Sequence, residues 1–194
     1  MRRVLILVIV LVLAACGVRA PAPWRSTDIS GADFGHELVG LKDQHGKPTT
    51  LGDFRGRAVL LFFGYTACPD VCPATLARYA AVMKALGGEA DRVQVLFVTL
   101  DPERDTPDKL AAYVSWFDPR FIGLYGDLAA TEAATREFKI FFARSKSSAG
   151  MGYTIDHSAG AYAFDPAGRI RLYIRDDAPV EAIAGDLKRL LAGQ

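Results

Sequence analysis

AVLLFFGYTACPDVCP, residues 58–73, joins an apolar run to two cysteines that lie four positions apart. The run 58–63 contains only apolar residues and lies between Gly56 and Gly64, which is typical of a strand buried on both faces of a sheet. Apolar residues then recur at the helical period over 73–86, so a helix follows the cysteines. The stretch therefore predicts a central strand, a loop that carries two thiols, and a helix.

The next segments repeat this alternation of strand and helix. Residues 93–100 form a second apolar run, and Thr106-Pro107 is a typical helix start because proline fits the first helical position. Strand, helix, strand and helix in this order predict parallel pairing of the two strands. Later segments are predicted as a short strand, a helix, a loop, a hairpin and a last helix, which cover residues 122–125, 129–142, 145–152, 161–174 and 179–191.

A further hairpin is predicted before the first buried strand. Residues 38–41 and 49–51 flank the polar segment 42–47, which contains a glycine. The whole order of elements predicts an α/β fold with a mixed central sheet flanked by helices and an N-terminal β-hairpin. This architecture is thioredoxin-like.

Composition restricts the classes of protein to which the chain can belong. Its 194 residues are 51% hydrophobic and 23% charged, which suits one globular domain with a short appendage. The formal net charge is +1, and the basic residues are scattered rather than interleaved with aromatic residues. A nucleic-acid partner is therefore not expected, because a nucleic-acid groove needs such a cluster.

The N-terminus has the pattern of a targeting segment. Two arginines precede an unbroken apolar run over 4–13, and small residues follow. Residues 13–17 resemble the lipobox of bacterial lipoproteins, which predicts lipidation of Cys16; the alternative is an uncleaved signal anchor. Both alternatives place the folded domain outside the cytoplasm, tethered to the cell membrane and facing the periplasm or another extracytoplasmic space.

These patterns divide the chain into three segments. Residues 1–16 are predicted to be the signal peptide with its lipobox, or a membrane anchor. Residues 17–35 contain Pro, Ser and Gly without apolar periodicity, which predicts a linker. Residues 36–194 then form the thioredoxin-like domain.

The two remaining cysteines form a pair with two possible uses. Cys68 and Cys72 lie between a strand and the amino end of a helix, where the helix dipole and free N–H groups favour thiolate. Residues four apart on a helical turn point the same way, so the two sulfurs suit a soft metal ion as well as a disulfide. The pair alone leaves metal binding and thiol redox chemistry both open.

His157 is the candidate for a third ligand. It lies on a predicted loop that leads into the strand at 161, and from there it can face the cysteine loop. Asp156, next to it, could orient the imidazole, as carboxylates do for metal-bound histidines. His36 and His45 are interpreted as ordinary surface residues.

Three motifs together resemble the Sco (SenC) family of copper-binding cytochrome oxidase assembly proteins. They are FGYTACPDVCP at 63–73, VTLDPERDTP at 98–107 and YTIDHS at 153–158. The resemblance extends from residue 27 to the C-terminus. It implies a thioredoxin-like fold and a copper ion bound by Cys68, Cys72 and His157. It also places Asp101 beside the metal site, where this carboxylate could tune the histidine or interact with a Cu(II) form.

The resemblance implies a copper chaperone for a respiratory oxidase. In this hypothesis the chain holds one copper ion, as Cu(I) or Cu(II), works with other copper chaperones, and delivers the ion to the copper centre of cytochrome c oxidase subunit II. The alternative is a thiol-disulfide oxidoreductase, in which Cys68 and Cys72 are the catalytic redox pair that reduces the target's cysteines. A third possibility is a peroxide-reducing thioredoxin-like domain.

Overall fold

The computed structural model describes residues 22–146 and 152–194. The predicted signal segment 1–16, with the lipidation site Cys16, lies outside the described residues. Within the described residues, no helix is both long enough and apolar enough to cross a membrane.

The described chain forms one large sheet, one small sheet and four α-helices. The strands are β1 (Thr27–Asp28), β2 (Lys42–Asp43), β3 (Ala58–Gly64), β4 (Val93–Thr99), β5 (Ile122–Tyr125), β6 (Phe142–Lys146), β7 (Tyr153–His157), β8 (Ala161–Phe164) and β9 (Ile170–Ile174). The helices are α1 (Val71–Leu86), α2 (Pro107–Phe117), α3 (Leu128–Glu137) and α4 (Val180–Leu191).

The large sheet is mixed, as predicted. Its seven strands lie in the order β1-β9-β8-β3-β4-β5-β2, with β3, β4 and β5 parallel and the other pairs antiparallel. Every residue of β3 and β4 is buried, which explains their continuous apolar runs. The prediction of a thioredoxin-like α/β sandwich is confirmed, because the helices pack against a sheet whose centre is this strand pair.

The predicted N-terminal hairpin is present in a short form. The N–H of Thr49 donates to the carbonyl of Leu41 at 3.0 Å, and the N–H of Asp43 donates to the carbonyl of Lys47 at 2.9 Å. Its first arm continues as β2, which adds to the edge of the large sheet by pairing with β5.

The third helix is shorter than the sequence predicted. The apolar residues up to 142 suggested a helix over 129–142, but α3 ends at Glu137. Lys139 adopts a left-handed conformation with φ of 53°, which an α-helix does not accommodate, and the chain then enters β6. Phe138 is fully buried in the core, so the apolar signal here came from packing beyond the helix end.

The predicted loop over 145–152 is also wrong in part. β6 and β7 pair antiparallel in a separate two-stranded sheet, with Phe142 opposite His157 and Lys146 opposite Tyr153. Residues 147–151, between the two strands, lie outside the described residues. His157 is therefore the last residue of a strand and not a loop residue.

The predicted linker over 17–35 is wrong for the part that the structure describes. β1 pairs with β9, and the backbone N–H groups of Arg25 and Ser26 donate to the buried carboxylate of Asp186 at 3.1 and 2.8 Å. These contacts satisfy backbone donors that a free linker would leave to water. The chain is thus attached to the domain from residue 22 onward.

Candidate metal centre

The cysteine loop lies where β3 ends and α1 begins. Cys72 is fully buried in the first turn of α1, whereas Cys68 is half-buried. Gly64, the last residue of β3, allows this close packing: a Cβ placed there would lie 2.8 Å from Cys72 Sγ and 2.8 Å from a ring carbon of Phe97. The strand therefore needs a residue without a side chain at the point where the buried sulfur touches it.

The two thiols have opposite preferences for their protons. The backbone N–H of Cys72 donates to Cys68 Sγ at 3.4 Å. The hydrogen bond from the Cys72 thiol, helped by backbone N–H groups of Cys72 and Asp70, lowers the pKa of Cys68 to about 5. The same hydrogen bond to Cys68, together with burial, raises the pKa of Cys72. Cys68 is thus a thiolate at neutral pH, and Cys72 is the thiol that stabilises it.

The imidazole of His157 faces the buried thiol. Its Nε2 lies 3.7 Å from Cys72 Sγ, and its Nδ1 lies 2.9 Å from the carbonyl oxygen of Ser158. Because a carbonyl oxygen only accepts, Nδ1 carries the hydrogen in the neutral ring, and the lone pair of Nε2 points toward the sulfur. The structure thus directs a nitrogen lone pair toward the buried sulfur of the cysteine pair.

The three residues predicted as ligands are neighbours in the fold. In residues 22–146 and 152–194, however, no three His, Cys, Asp or Glu side chains form a ready-made metal cage. Two sulfurs and one neutral imidazole form a donor set that favours soft metal ions.

Asp156 does not orient the imidazole, contrary to the sequence prediction. Its side chain is exposed and accepts a hydrogen bond from the hydroxyl of Ser145 on β6. Successive residues of a strand point to opposite faces, so Asp156 points away from the face that His157 occupies. The backbone carbonyl of Ser158 performs the orienting role instead.

Asp101 lies near the centre without touching the imidazole. Its buried carboxylate accepts a hydrogen bond from the hydroxyl of Tyr153 at 2.6 Å and pairs with the guanidinium of Arg104. Arg104 also donates to the carbonyl of Tyr153 at 3.0 Å and stacks on its ring, with 3.7 Å to the ring centroid. Tyr153 begins β7 and shares a face with His157, four residues later. Asp101 is therefore a positioning residue for the strand that ends in His157.

Tyr65 also links the cysteine loop to β7, a role that was not predicted from the sequence. Its buried hydroxyl lies between the sulfur of Cys68 and the backbone of Ile155. Its ring also meets the imidazole of His157 edge to face, with the centroids 6.2 Å apart. The position of Tyr65 inside the cysteine motif was the available signal.

Asp105 is the second supporting residue of the site, after Tyr65, that was not predicted from the sequence. Its carboxylate is 1% exposed and accepts from the N–H and hydroxyl of Thr66 and from the hydroxyl of Thr99. These bonds tie the start of the cysteine loop to the loop after β4. The sequence contained one signal for this contact. The loops that follow two neighbouring parallel strands lie at the same edge of the sheet, so an acidic residue after β4 is expected near the loop after β3.

A shallow pocket of about 360 Å³ opens this centre to solvent. Cys68 and His157 both line it, so the half-buried thiolate and the imidazole are accessible from the same side. The rest of its wall comes from the cysteine loop with the first residue of α1, and from β7 with the segment just after it: Tyr65, Pro69, Asp70, Val71, Thr154, Ile155, Asp156 and Ala159.

Comparisons with known proteins agree on one family. The SCO1/SenC family model matches residues 29–192. The mitochondrial SCO2 homolog of Mus musculus is 34% identical over 170 residues, which cover 87% of this chain and 67% of that protein. The chain thus spans about two thirds of the length of the mitochondrial relatives it matches.

Two solved structures have the same fold. Bradyrhizobium japonicum ScoI with copper bound is 39% identical, with a TM-score of 0.72, and the match covers 82% of this chain and 99% of that chain. A SCO1/SenC family lipoprotein from Bacillus anthracis is 26% identical, with a TM-score of 0.64, and the match covers 89% of this chain and 98% of that chain.

Proposed function

The chain belongs to the SCO1/SenC family, and from this premise we propose that it is a copper chaperone that holds one copper ion with Cys68, Cys72 and His157. One observation carries the proposal: Nε2 of His157 lies 3.7 Å from the buried sulfur of Cys72, with its lone pair directed by the Nδ1 contact to a carbonyl. Copper is bound in the ScoI structure from Bradyrhizobium japonicum, which supports copper as the ion.

The donor set explains the preference for copper. Thiolates select Cu(I) over hard cations, and imidazole binds copper in both oxidation states. Cys68 is a thiolate at neutral pH, but Cys72 must lose its proton when the ion binds. Metal affinity should therefore rise with pH, because ion and proton compete for the Cys72 sulfur.

The proposed acceptor is the copper centre of cytochrome c oxidase subunit II, in line with the role of Sco proteins in assembly of that enzyme. Ligands of the acceptor would reach the ion through the open pocket that Cys68 and His157 line. Other copper chaperones are the proposed donors. The N-terminal apolar run and Cys16 would tether the domain to the extracytoplasmic side of the membrane.

Copper titration of the reduced full chain in the absence of oxygen tests the three-ligand site. A competing chelator of known affinity reports the dissociation constant for the wild type and for Cys68→Ser, Cys72→Ser and His157→Ala. His45→Ala is the matched control, because His45 lies on an exposed turn. We expect the wild type and His45→Ala to bind one copper ion per chain. Tight binding should be lost in Cys68→Ser, Cys72→Ser and His157→Ala. Unchanged binding by His157→Ala would refute the proposal.

The thiol pair also supports a second candidate function, thiol-disulfide exchange. Cys68 combines a pKa of about 5 with partial exposure, as an attacking thiolate requires. In this reaction Cys68 Sγ attacks a target disulfide, one target cysteine leaves as thiolate, and Cys72 then displaces the second by forming a Cys68–Cys72 disulfide. The target gains the two electrons that the pair loses.

His157→Ala separates the two functions. The oxidoreductase function predicts that this variant still reduces a disulfide peptide at close to the wild-type rate, since sulfur performs each step. The chaperone function predicts loss of copper affinity in the same variant. A variant that loses both activities would show that the imidazole serves the exchange reaction as well.

A further inference from the structure

The domain has a well-defined end opposite the metal centre. β3 and β4 run parallel, so Ala58 and Val93 begin them at one end and Gly64 and Thr99 finish them at the other. The cysteine loop follows Gly64. The end at which β3 and β4 begin, here called the base, is therefore one strand length away from the two thiols.

The N-terminal segment joins the fold at the base. Arg92, directly before β4, donates to the carbonyl of Leu191 at 3.2 Å, so the last turn of α4 lies at this end. In that turn Arg189 donates to the carbonyls of Ala22 and Pro23 at 2.6 and 3.0 Å and stacks on Trp24 at 4.0 Å. The 21 residues that precede Ala22 thus connect to the domain on the side away from the metal centre.

An exposed tryptophan lies at the same end. Trp116, in the last turn of α2, is 85% exposed. The next segment is fixed to the base, because Arg120 reaches Asp91 at 3.4 Å and its carbonyl accepts from Gln94 near the start of β4. A large indole left in solvent contributes nothing to the stability of the domain, but tryptophan is the side chain that prefers the headgroup region of a bilayer.

The base also has a surplus of positive charge. Several acidic side chains there already have arginine partners; these pairs are Asp91 and Asp118 with Arg120, and Asp165 with Arg169 and Arg171. Glu89 and the terminal carboxylate add two further negative charges. Four exposed cations outweigh them: Arg55, Lys84, Arg92 and Lys188.

We infer that the base rests on an anionic phospholipid bilayer, with Trp116 at the level of the headgroups and the metal centre facing away from the membrane. The inference uses the membrane tether of the proposed function but not copper binding. Two independent features support it: the entry point of the N-terminal segment, and a cationic surface with one exposed indole at the same end. Each lysine near an anionic membrane surface increases the affinity for that surface about fivefold.

Quenching of Trp116 fluorescence by bromine-labelled phospholipid tests the contact in the full chain. The chain is reconstituted into phosphatidylcholine vesicles with and without phosphatidylglycerol. The chain has two tryptophans, so the difference in fluorescence between the wild type and Trp116→Phe, which retains only Trp24, gives the signal of Trp116. The double variant Lys84→Gln, Lys188→Gln weakens the base, and Lys42→Gln, Lys146→Gln is the matched control. All four lysines are exposed, and none is in an ion pair in the described parts of the chain.

We expect strong quenching of Trp116 in anionic vesicles and none in neutral vesicles. The quenching should fall at least threefold in Lys84→Gln, Lys188→Gln and in 1 M salt, but not in the control Lys42→Gln, Lys146→Gln. Equal quenching in all variants, or no quenching of Trp116, would overturn the inference. Shielding of Trp116 that rises with protein concentration without lipid would assign the base to a second copy instead. None of these readings depends on copper, so failure of the chaperone proposal is measured separately.

Discussion

The two regions that supply the candidate ligands are held in very different ways. The cysteine loop extends from β3, which is buried along its whole length at the centre of the seven-stranded sheet. His157 ends a strand of a separate two-stranded sheet whose residues are mostly half-buried or exposed. Apolar burial, with the hydrogen bonds of Asp105, holds the thiols, whereas mainly polar contacts hold the small sheet that carries the imidazole.

This difference indicates that the two halves of the site respond to different changes. Displacing the thiols requires a change in the core, which is costly because interiors are close-packed. Displacing His157 requires the loss of polar contacts at Tyr153 and Ser158 and the movement of a small sheet in which only Ile155 is buried. Substitutions on each side should therefore alter copper binding by separate routes.

The largest expected effect is the difference in reactivity between the two thiols. At pH 7 iodoacetamide should alkylate Cys68 at least about 100-fold faster than Cys72, because Cys68 is a partly exposed thiolate and Cys72 a buried thiol. Peptide mass spectrometry measures both rates. His157→Ala should leave the ratio of the two alkylation rates unchanged, since His157 is not among the groups that lower the pKa of Cys68. Equal rates for the two cysteines would contradict the proton assignment.

The same pair predicts a pH dependence of stability. The pKa of Cys68 falls from 9.0 to about 5 on folding. The stabilisation of the folded state by this thiolate is therefore complete above pH 9 and is lost as pH falls through about 5. Urea unfolding of the reduced protein between these limits should show this loss. Cys68→Ser, which has no thiolate, is the control and should show a flatter profile over the same range.

A methyl group added at the end of β3 should cause the next largest effect, a loss of stability and of copper affinity. Gly64→Ala places a carbon 2.8 Å from Cys72 Sγ, and overpacking of this kind costs about 1–3 kcal/mol of unfolding free energy. Urea unfolding measures the change, and copper affinity should fall with it. Gly88→Ala is the matched control, because a Cβ there meets nothing within 4 Å. Identical stability of the two variants would mean that Cys72 does not pack against the strand end.

Loss of the Asp101 ion pair should affect the histidine side of the site alone. Asp101→Asn keeps an acceptor for Tyr153 but removes the charge that holds Arg104, so β7 should move and copper affinity should fall about tenfold. The Cys68 alkylation rate should stay at the wild-type value. A change in that rate would show that the two regions are coupled through Asp101.

The smallest effect is expected at Asp156. Asp156→Asn should change copper affinity less than about twofold, because the carboxylate faces Ser145 and solvent rather than the imidazole. The same chelator competition measures it. A fall as large as that of Asp101→Asn would restore the original interpretation of Asp156 as the group that orients His157.

The sequence predicted the central strand pair and the cysteine loop well, because a fully buried strand leaves a continuous apolar run. It failed for β6 and β7, since the segment FARSK has neither an apolar run nor a clear alternation. It also failed for residues 22–35, whose Pro, Ser and Gly content is typical of a linker. The partner that holds them, Asp186, lies about 160 positions away in the chain.

The supporting residues of the site were harder to predict than its proposed ligands. Cys68, Cys72 and His157 belong to residue types with their own chemistry, and short motifs surround them. Asp105 and Tyr65 act only through contacts with residues from other elements. Such contacts exist only after the sheet has brought the ends of β3, β4 and β7 together.

The separate attachment of His157 has a consequence for the rate of metal transfer. A strand at the margin of the fold can open locally while the main sheet stays intact. If the chain carries copper as proposed, this opening leaves the ion on two sulfurs with a vacant coordination position. A ligand of the acceptor then enters this position before either sulfur leaves, so the ion stays bound during transfer. The transfer rate should increase with acceptor concentration until opening of the strand becomes rate-limiting.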